Sequence, residues 1–222
     1  MQHAIVVGGS NGIGLALSDL LIQKQYLVTI FDRVEPSATA LSEGQYRFVA
    51  CDLRYLDPDI FEPYASDPEL GVVFISAGLG RIADFEAHHP AEIQKMMTVN
   101  ATAELQIIRM FYDRLLKDSD FFLGIMGSIS GLLSSPMAAV YAASKAAVCR
   151  FTESVNIELE IKGSPNRILN VSPGSFKGSR FYGGENDLSQ LNDLANDILD
   201  HLFHRNTLFI PDYDETFHAV AY

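Results

Sequence analysis

A glycine-rich turn near the amino terminus constrains the fold of this chain more than any other segment. Residues 4–7 are apolar, glycines follow at positions 8, 9, 12 and 14, and leucines then recur at positions 15, 17, 20 and 21. This order predicts a buried strand, a tight turn and a helix that begins near Asn11 and Gly12. Glycine accepts a positive φ and leaves no Cβ between the backbone and a ligand. Because a helix start offers unpaired N–H groups and a positive dipole end, we predict that the pyrophosphate of a dinucleotide binds here.

The residues assigned to this pyrophosphate site lie in the turn and in the first residues of the helix. They are Gly8, Ser10, Asn11, Gly12, Ile13 and Gly14. Two other interpretations fit the segment. The spacing differs from the common G-x-G-x-x-G pattern, so a helix cap without a ligand is one of them. The segment also matches G-x-S-x-G, the nucleophile elbow of hydrolases, with Ser10 as nucleophile and His88 or His89 as its base.

An acidic residue follows the second predicted strand, residues 27–31. Asp32 lies eighteen residues after Gly14, close to the offset of ~20 residues at which an acid meets the adenosine ribose in dinucleotide sites. A carboxylate there accepts hydrogen bonds from the ribose hydroxyls and repels a 2′-phosphate, so NAD is favoured as the cofactor. The neighbouring Arg33 could hold that phosphate, which keeps NADP as an alternative.

Apolar strands alternate with helical segments along the whole chain. The predicted strands are residues 4–7, 27–31, 46–50, 71–75, 121–126, 167–171 and 207–210, and the predicted helices are 15–23, 56–65, 90–117, 136–162, 188–203 and 213–222. This alternation is typical of an α/β fold, a Rossmann-type doubly wound parallel sheet of about seven strands with helices on both faces. No repeat or linker divides the sequence, so residues 1–222 are predicted to form a single domain.

Charge and composition argue against several classes of partner. The net charge of −12 disfavours nucleic acid and anionic membranes, and no apolar run approaches the length that spans a bilayer. Cys51 and Cys149 lie in apolar segments without metal-like spacing, which predicts reduced core thiols and a cytoplasmic location. No metal site is expected, because His201 and His204 are interpreted as part of a solvated helix face.

Tyr141 and Lys145 lie four residues apart in a predicted helix, so they share one face and the lysine leans back toward the phenol. To ionise at pH 7, a tyrosine needs its pKa lowered by ~3 units from ~10, which is roughly 4 kcal/mol. An ammonium ~4 Å away, at an effective dielectric constant of ~20, supplies about 4 kcal/mol before desolvation is subtracted. The pair can therefore serve as a general acid or base.

These motifs, taken together, resemble the short-chain dehydrogenase/reductase family over about residues 4–174. The resemblance also rests on short pairs that follow the strands and on a serine thirteen residues before Tyr141. The further matching positions are Asp52, Leu53, Ala77, Gly78, Asn100, Ser128, Pro173 and Gly174. The family has a Rossmann-type sheet and transfers a hydride between a nicotinamide cofactor and an alcohol or carbonyl substrate.

The resemblance assigns catalytic roles to four residues. Tyr141 would exchange a proton with the substrate oxygen, and Ser128 would donate a hydrogen bond to the same oxygen. Lys145 would lower the pKa of Tyr141 and hold the nicotinamide ribose. Asn100 would place a water that relays protons to Lys145. Ser130 is an alternative to Ser128, although the spacing favours Ser128.

The remaining matching positions are implied to contact the cofactor. Asp52 would meet the adenine, and Gly78 would let the backbone approach the dinucleotide. The other implied contacts are Leu53, Ala77, Pro173 and Gly174.

The sequence departs from the family pattern at four places. Val7 replaces a threonine, Ser76 replaces an asparagine, and 211–213 replace an Asp-Gly-Gly ending. Gly178 stands where a threonine normally meets the nicotinamide carboxamide, with Ser179 as a candidate substitute. These departures motivate an alternative function, a dinucleotide-binding sensor or scaffold with weak catalysis on the same fold.

Two features bear on substrate access and assembly. Residues 174–186 are rich in glycine and serine, with Phe176, Phe181 and Tyr182 interleaved, which predicts a lid beside the cleft. The resemblance implies a homodimer or homotetramer that pairs through the two long helices, about 91–117 and 136–162.

Overall fold

Seven parallel strands form one sheet in the computed structural model, which describes residues 2–37, 41, 46–117, 120–178 and 187–216. The strands are β1 (His3–Val7), β2 (Leu27–Asp32), β3 (Tyr46–Ala50), β4 (Leu70–Ile75), β5 (Phe122–Met126), β6 (Ile168–Val171) and β7 (Leu208–Phe209). Their order across the sheet is β3-β2-β1-β4-β5-β6-β7. This confirms the predicted fold class, and each strand lies within two residues of its predicted bounds.

The strand order reverses direction between β1 and β4, which places a crevice beyond the carboxyl ends of these two strands. In open α/β sheets, ligands bind at such a reversal. The turn that follows β1 begins at Gly8 and the segment that follows β4 begins at Ser76, so both enter this crevice. We therefore expect a ligand-binding site at this edge of the sheet.

Helices cover both faces of the sheet. They are α1 (Gly12–Gln23), α2 (Glu62–Ala65), α3 (Pro90–Met97), α4 (Ala103–Leu115), α5 (Ala139–Ile161), α6 (Asn192–Phe203) and α7 (Tyr213–Thr216). A π-helical segment, Thr98–Thr102, joins α3 to α4. Short 3₁₀ turns lie at Leu53–Tyr55, Pro58–Phe61, Phe85–Ala87, Ile129–Gly131 and Leu188–Gln190. Within the described ranges, no helix is both long and apolar enough to span a bilayer.

Two apolar clusters form the core, one on each face. Successive residues of a strand point to opposite faces, so Val6 of β1 joins the cluster under α1 and α6, while Ile5 and Val7 join the cluster under α4 and α5. The inner strands β1 and β4 are buried along their whole length. This is why they read as continuous apolar runs in the sequence.

Three details differ from the sequence-based expectations. Strand β3 is only partly buried, because it lies at the edge of the described sheet. The long helix predicted from residue 136 begins at Ala139, and the helix predicted over 56–65 is a 3₁₀ turn followed by one short α-helical turn. Phe181, Tyr182, Ser179 and residues 217–222 lie outside the described residues.

A buried amide joins α5 to the sheet and allows a test of the fold. Asn156 is 7% exposed; its Nδ2 donates to the carbonyl of Ile168 (2.9 Å), and its Oδ1 accepts from the N–H of Ile168 (2.8 Å). Asn156→Ala should lower the free energy of unfolding by about 1–3 kcal/mol, because two buried backbone groups lose their partner. Urea unfolding measures the change. Asn196→Ala, at an exposed site on α6, is the matched control and should stay within about 0.5 kcal/mol of the wild type; equal losses in both variants would contradict this role.

Candidate active site

A cleft of about 940 Å³ opens beyond the carboxyl ends of the strands and contains most of the residues predicted for the site. Those that line it are Gly8, Ser10, Asn11, Gly12, Ile13, Asp32, Arg33, Asp52, Leu53, Ala77, Gly78, Ser128, Tyr141, Lys145, Pro173 and Gly174. Gly14 and Asn100 do not line it. Both are buried, and the contact of Gly14 with a cofactor stays a prediction.

Close backbone packing explains the glycines of the turn. Gly8 has a φ of +81°, and a Cβ there would lie 2.5 Å from the N–H nitrogen of Ala77 after β4. A Cβ on Gly14 would lie 2.2 Å from the carbonyl oxygen of Gly8. The missing side chain of Gly14 therefore lets α1 pack directly against the backbone of the turn. The result is a narrow cradle, formed by residues 8–13, at the amino terminus of α1.

The cradle has features that fit a pyrophosphate group. The hydroxyl of Ser10 is buried and has no hydrogen-bond partner among the described residues. It lies next to the start of α1, where the helix dipole favours an anion. An unpaired buried hydroxyl is costly unless a ligand satisfies it. A dinucleotide phosphate would supply the missing acceptor.

Asp32 is held at the end of β2 by the glycine turn. One carboxylate oxygen, Oδ2, accepts from the N–H of Ser10 (3.1 Å), and Oδ1 accepts from the N–H of Arg33 (2.7 Å). The carboxylate thus lies in the cleft next to the turn, where an adenosine ribose would follow the pyrophosphate. Arg33 also lines the cleft, so a carboxylate and a cation lie side by side at this end.

Asp52 and Arg54, which follow β3, form an ion pair that lines the cleft. The guanidinium and the backbone N–H of Arg54 both donate hydrogen bonds to the Asp52 carboxylate. These hydrogen bonds hold the pKa of Asp52 below its ordinary value. Lys95 lines the same cleft. Sequence reasoning missed Arg54 and Lys95, because neither belongs to a motif.

Cys51 lies next to this ion pair and is buried. Burial, together with the nearby carboxylates of Asp52 and Asp32, raises the pKa of the thiol to about 11. The thiol therefore keeps its proton at neutral pH. Both cysteines are free and buried, which agrees with the predicted absence of a disulfide.

Ser128 and Tyr141 line the same cleft. Ser128 follows β5, and Tyr141 lies in the first turn of α5; they are 7% and 6% exposed. The Ser128 hydroxyl accepts from the N–H of Ser130 (3.2 Å), which orients its oxygen. Ser130 does not line the cleft, so the geometry favours Ser128, as the spacing does.

The π-helical segment explains an asparagine in the middle of a helix. Asn100 is completely buried, and its Oδ1 accepts from the N–H of Leu79 (2.7 Å). Its Nδ2 donates to the carbonyl of Leu79 (2.7 Å) and to the hydroxyl of Ser144 (3.1 Å). π-Bulges occur frequently at functional sites. Here the bulge joins the segment after β4 to the helix that carries Tyr141 and Lys145.

Lys145 has a second partner that the sequence analysis missed. Its Nζ donates to the carbonyl of Met126 (2.8 Å) and to Oε1 of Glu104 (3.3 Å). Burial raises the pKa of Glu104 to about 8, although the ammonium of Lys145 acts to lower it. The sequence does indicate that Glu104 is buried, because it lies four residues after Asn100 and on the same helix face as the apolar Ile107 and Phe111.

The rival sites are not assembled. Neither His88 nor His89 lines the cleft that contains Ser10, and His89 instead caps α3 by accepting from the N–H of Ala91. His201 stacks on Phe209. Within the part of the chain that the structure describes, no group of three or more His, Cys, Asp or Glu residues could hold a metal ion.

One departure from the family pattern has a structural reason. Gly178 has a φ of +83°, and its carbonyl accepts from the N–H of Asp187 (3.1 Å). A Cβ at this position would lie 2.8 Å from the carbonyl oxygen of Asp187. A threonine could not adopt this conformation without strain.

Comparisons with known proteins agree with this geometry. A family model described as short chain dehydrogenase matches residues 2–186. Two relatives are Dehydrogenase RED2 from Cochliobolus heterostrophus, 29% identical over 168 residues, and Carbonyl reductase family member 4 from Xenopus tropicalis, 27% identical over 187 residues. The matches cover 71% and 82% of this chain, and 61% and 78% of the relatives. The chain thus spans less than two thirds of the first relative's length.

Solved structures share the fold. The short-chain dehydrogenase from Sphingobium yanoikuyae in complex with NADPH superposes with a TM-score of 0.78 at 19% identity, covering 96% of this chain and 88% of that chain. At this identity, the likeness shows the shared Rossmann-like fold.

Proposed function

The chain belongs to the short-chain dehydrogenase family, and from this premise we propose that it is an NAD-dependent oxidoreductase that interconverts an alcohol and a carbonyl compound. The observation that carries the proposal is the placement of Ser128, Tyr141 and Lys145 in the same cleft as the glycine cradle. A phosphate-binding turn and a proton-transfer group are thereby joined in one continuous site. The name of the Xenopus relative, a carbonyl reductase, supports the same class of substrate.

In this proposal the residues of the chain hold the substrate oxygen and move one proton. A bound nicotinamide dinucleotide supplies or accepts the hydride. During carbonyl reduction, Ser128 donates a hydrogen bond to the carbonyl oxygen, and Tyr141 gives that oxygen its proton. Donors aimed at a developing oxyanion stabilise the transition state more than the ground state. In the reverse direction, Tyr141 accepts the proton of the alcohol.

Lys145 and Asn100 support the proton transfer. The ammonium of Lys145 favours the ionised form of the phenol that exists after Tyr141 has given up its proton. Asn100 is fixed by Leu79 and Ser144, and in this proposal it orders a water on the path by which the proton returns. Because Lys145 is 2% exposed, its charge acts on the cleft with little screening by solvent.

The proposal assigns NAD as the preferred cofactor, held by two sets of residues. The cradle from Gly8 to Ile13 takes the pyrophosphate, Asp32 takes the adenosine ribose, and Asp52, Leu53, Ala77 and Gly78 take the adenine side. Pro173 and Gly174 complete the nicotinamide side with Tyr141 and Lys145. The Sphingobium neighbour was solved with NADPH. In this chain, Asp32 would repel the 2′-phosphate of that cofactor, against the attraction of Arg33.

A thermal shift experiment tests the cofactor preference. NAD at one hundred times its dissociation constant should stabilise the fold by about 2.7 kcal/mol, which is roughly 5–10 °C for a chain of this size. NADP at the same concentration should give a clearly smaller shift, because a second phosphate meets the Asp32 carboxylate. Asp32→Ala should reduce the difference between the two cofactors. A larger shift with NADP would contradict the assignment of Asp32.

Turnover tests the function itself. Purified protein with NADH and a panel of ketones and aldehydes, or with NAD and the matching alcohols, should change the absorbance of the reduced nicotinamide. The alternative, a dinucleotide-binding sensor or scaffold, predicts stabilisation by cofactor with no turnover on any member of the panel. The two functions therefore differ in one measurable outcome.

The proposal extends to assembly and compartment. We expect a homodimer or homotetramer that pairs through α4 and α5, because Ile157 and Ile161 of α5 are 59% and 79% exposed and need an apolar cover. Two free cysteines support a reducing compartment, the cytoplasm.

A further inference from the structure

A buried, hydrogen-bonded pair of ionisable side chains, Glu104 and Lys145, lies near the proposed proton-transfer group. Glu104 of α4 is 0% exposed and Lys145 of α5 is 2% exposed, and the distance from Nζ to Oε1 is 3.3 Å. Removing two charges from water is costly, and mutual attraction offsets that cost only in part. A carboxylate in this position therefore calls for a role that an apolar side chain could not fill.

Two contacts fix the position of the Lys145 ammonium. Met126 at the end of β5 accepts from Nζ through its carbonyl (2.8 Å), and Glu104 accepts a second hydrogen bond. The same nitrogen lies 3.7 Å from the point where a Cβ on Gly78 would stand, so it reaches the floor of the cleft. An ammonium has three donors. Two are used by Met126 and Glu104, which leaves the third for a group in the cleft.

The electrostatic surroundings of Glu104 consist mainly of this one lysine. Its second oxygen, Oε2, is buried and has no hydrogen-bond partner among the described residues. Lys145 is the charged group that shifts the pKa of Glu104. The nearby polar groups from the π-helical segment, β5 and α5 are the neutral Asn100, the Met126 carbonyl and Ser144. The net charge of the pair is therefore decided by whether Glu104 carries a proton.

We propose that Glu104 is a positioning residue for Lys145, which holds the ammonium at the floor of the cleft and sets how much positive charge Lys145 presents to Tyr141. The inference rests on the proposed function, because it assigns Glu104 to the same proton transfer. With Glu104 protonated, the pair carries one positive charge. With Glu104 ionised, the pair is neutral as a whole, and Tyr141 holds its proton to a higher pH.

The burial of Glu104 places this change in the pH range of an enzyme assay. Its pKa is raised to about 8, so the pair loses its net positive charge as the pH rises past that value. The loss opposes ionisation of Tyr141 and favours the protonated phenol, which is the form that reduces a carbonyl. Above about pH 8 the pair thus biases the site toward reduction.

Glu104→Gln tests the charge role through the pH profile. Glutamine keeps the shape and a hydrogen-bonding oxygen but cannot ionise, so the pair stays positive at every pH. For alcohol oxidation, which needs ionised Tyr141, the limb of log kcat/KM should move to lower pH by about 1 unit, the effect of one charge several ångströms away. Asp113→Asn on the same helix, where Asp113 is 81% exposed, is the matched control and should leave the profile unchanged. A profile of Glu104→Gln that overlays the wild type would overturn the proposal.

Unfolding without cofactor or substrate gives a second readout. Between the ordinary pKa of 4.5 and about 8, folded Glu104 retains a proton that the unfolded chain has lost. Wild-type stability should therefore decline as the pH rises through this window. Glu104→Gln lacks this contribution, so it should gain stability relative to the wild type as the pH rises. Parallel curves for the two proteins would overturn the buried-acid assignment.

The two readouts separate this inference from the proposed function. If no substrate turns over but the unfolding curves diverge as expected, the proposed function fails and the pairing of Glu104 with Lys145 stands. Should Glu104→Gln fail to fold, infrared spectroscopy of the wild type decides: a protonated carboxyl band that persists above about pH 7 supports the buried acid. Absence of that band at about pH 6 overturns it.

Discussion

Tyr141→Phe should lower kcat/KM by about 10²–10⁴-fold, the usual contribution of a general acid or base. The variant removes one oxygen from a side chain that is 6% exposed and leaves the ring to fill the same space. Binding of NAD should persist, because the cradle, Asp32 and Lys145 are untouched. The loss should therefore appear in turnover and not in the thermal shift with NAD.

Tyr112→Phe is the matched control for this variant. Tyr112 lies on α4 outside the cleft, where its hydroxyl accepts from Lys162 (3.0 Å). This control should keep wild-type kinetics. If Tyr141→Phe turned over substrate as fast as the control, proton transfer would have to come from another group, and the proposed mechanism would be wrong.

Gly14→Ala should lower turnover by about 10²-fold through the shape of the glycine turn. The new Cβ would lie 2.2 Å from the carbonyl oxygen of Gly8 and 2.9 Å from its carbonyl carbon. Both atoms belong to the backbone, so α1 and the turn must separate by about 1 Å, a displacement that can cost 10²-fold in rate. The stabilisation by NAD should weaken in parallel, which distinguishes this variant from Tyr141→Phe.

Helix propensity alone predicts that Gly14→Ala stabilises the fold, whereas the packing argument predicts that it destabilises the fold. The measured change in stability therefore distinguishes the two. Alanine in place of glycine inside a helix normally stabilises by about 1 kcal/mol, whereas overpacking costs about 1–3 kcal/mol. Gly71→Ala in β4 is the control, since its Cβ would meet no atom closer than 3.9 Å. A stabilised Gly14→Ala variant with normal NAD binding would contradict the packing argument.

The sequence predicts the sheet well because each strand carries its own signal. The inner strands are buried on both faces, and a continuous apolar run is the direct consequence of that environment. The glycine turn and the Tyr141–Lys145 spacing are also local patterns, so they are visible without a structure. The sequence does not show how much of β3 is exposed to solvent, because this depends on the position of β3 at the edge of the sheet.

The elements that sequence reasoning missed depend on contacts between distant segments. Glu104 and Lys145 are 41 residues apart, and only the packing of α4 on α5 brings them together. The close approach of Gly14 to the carbonyl oxygen of Gly8 cannot be seen in the sequence, because it depends on how α1 packs against the turn. Asn100 lies inside a predicted helix although asparagine is a poor helix former, and the π-bulge that accommodates it is a property of the folded backbone.

If Asp32 selects the cofactor as proposed, the hydrogen bond from the Ser10 N–H to its carboxylate couples cofactor choice to the architecture of the turn. Replacing Asp32 by alanine, to admit a phosphorylated ribose, would also remove the acceptor that ties the loop after β1 to the end of β2. Retaining an acceptor at that position, as asparagine does, separates loss of charge from loss of the tether. A redesign of cofactor specificity should therefore first keep the hydrogen-bond acceptor for the Ser10 N–H and then change the charge at position 32.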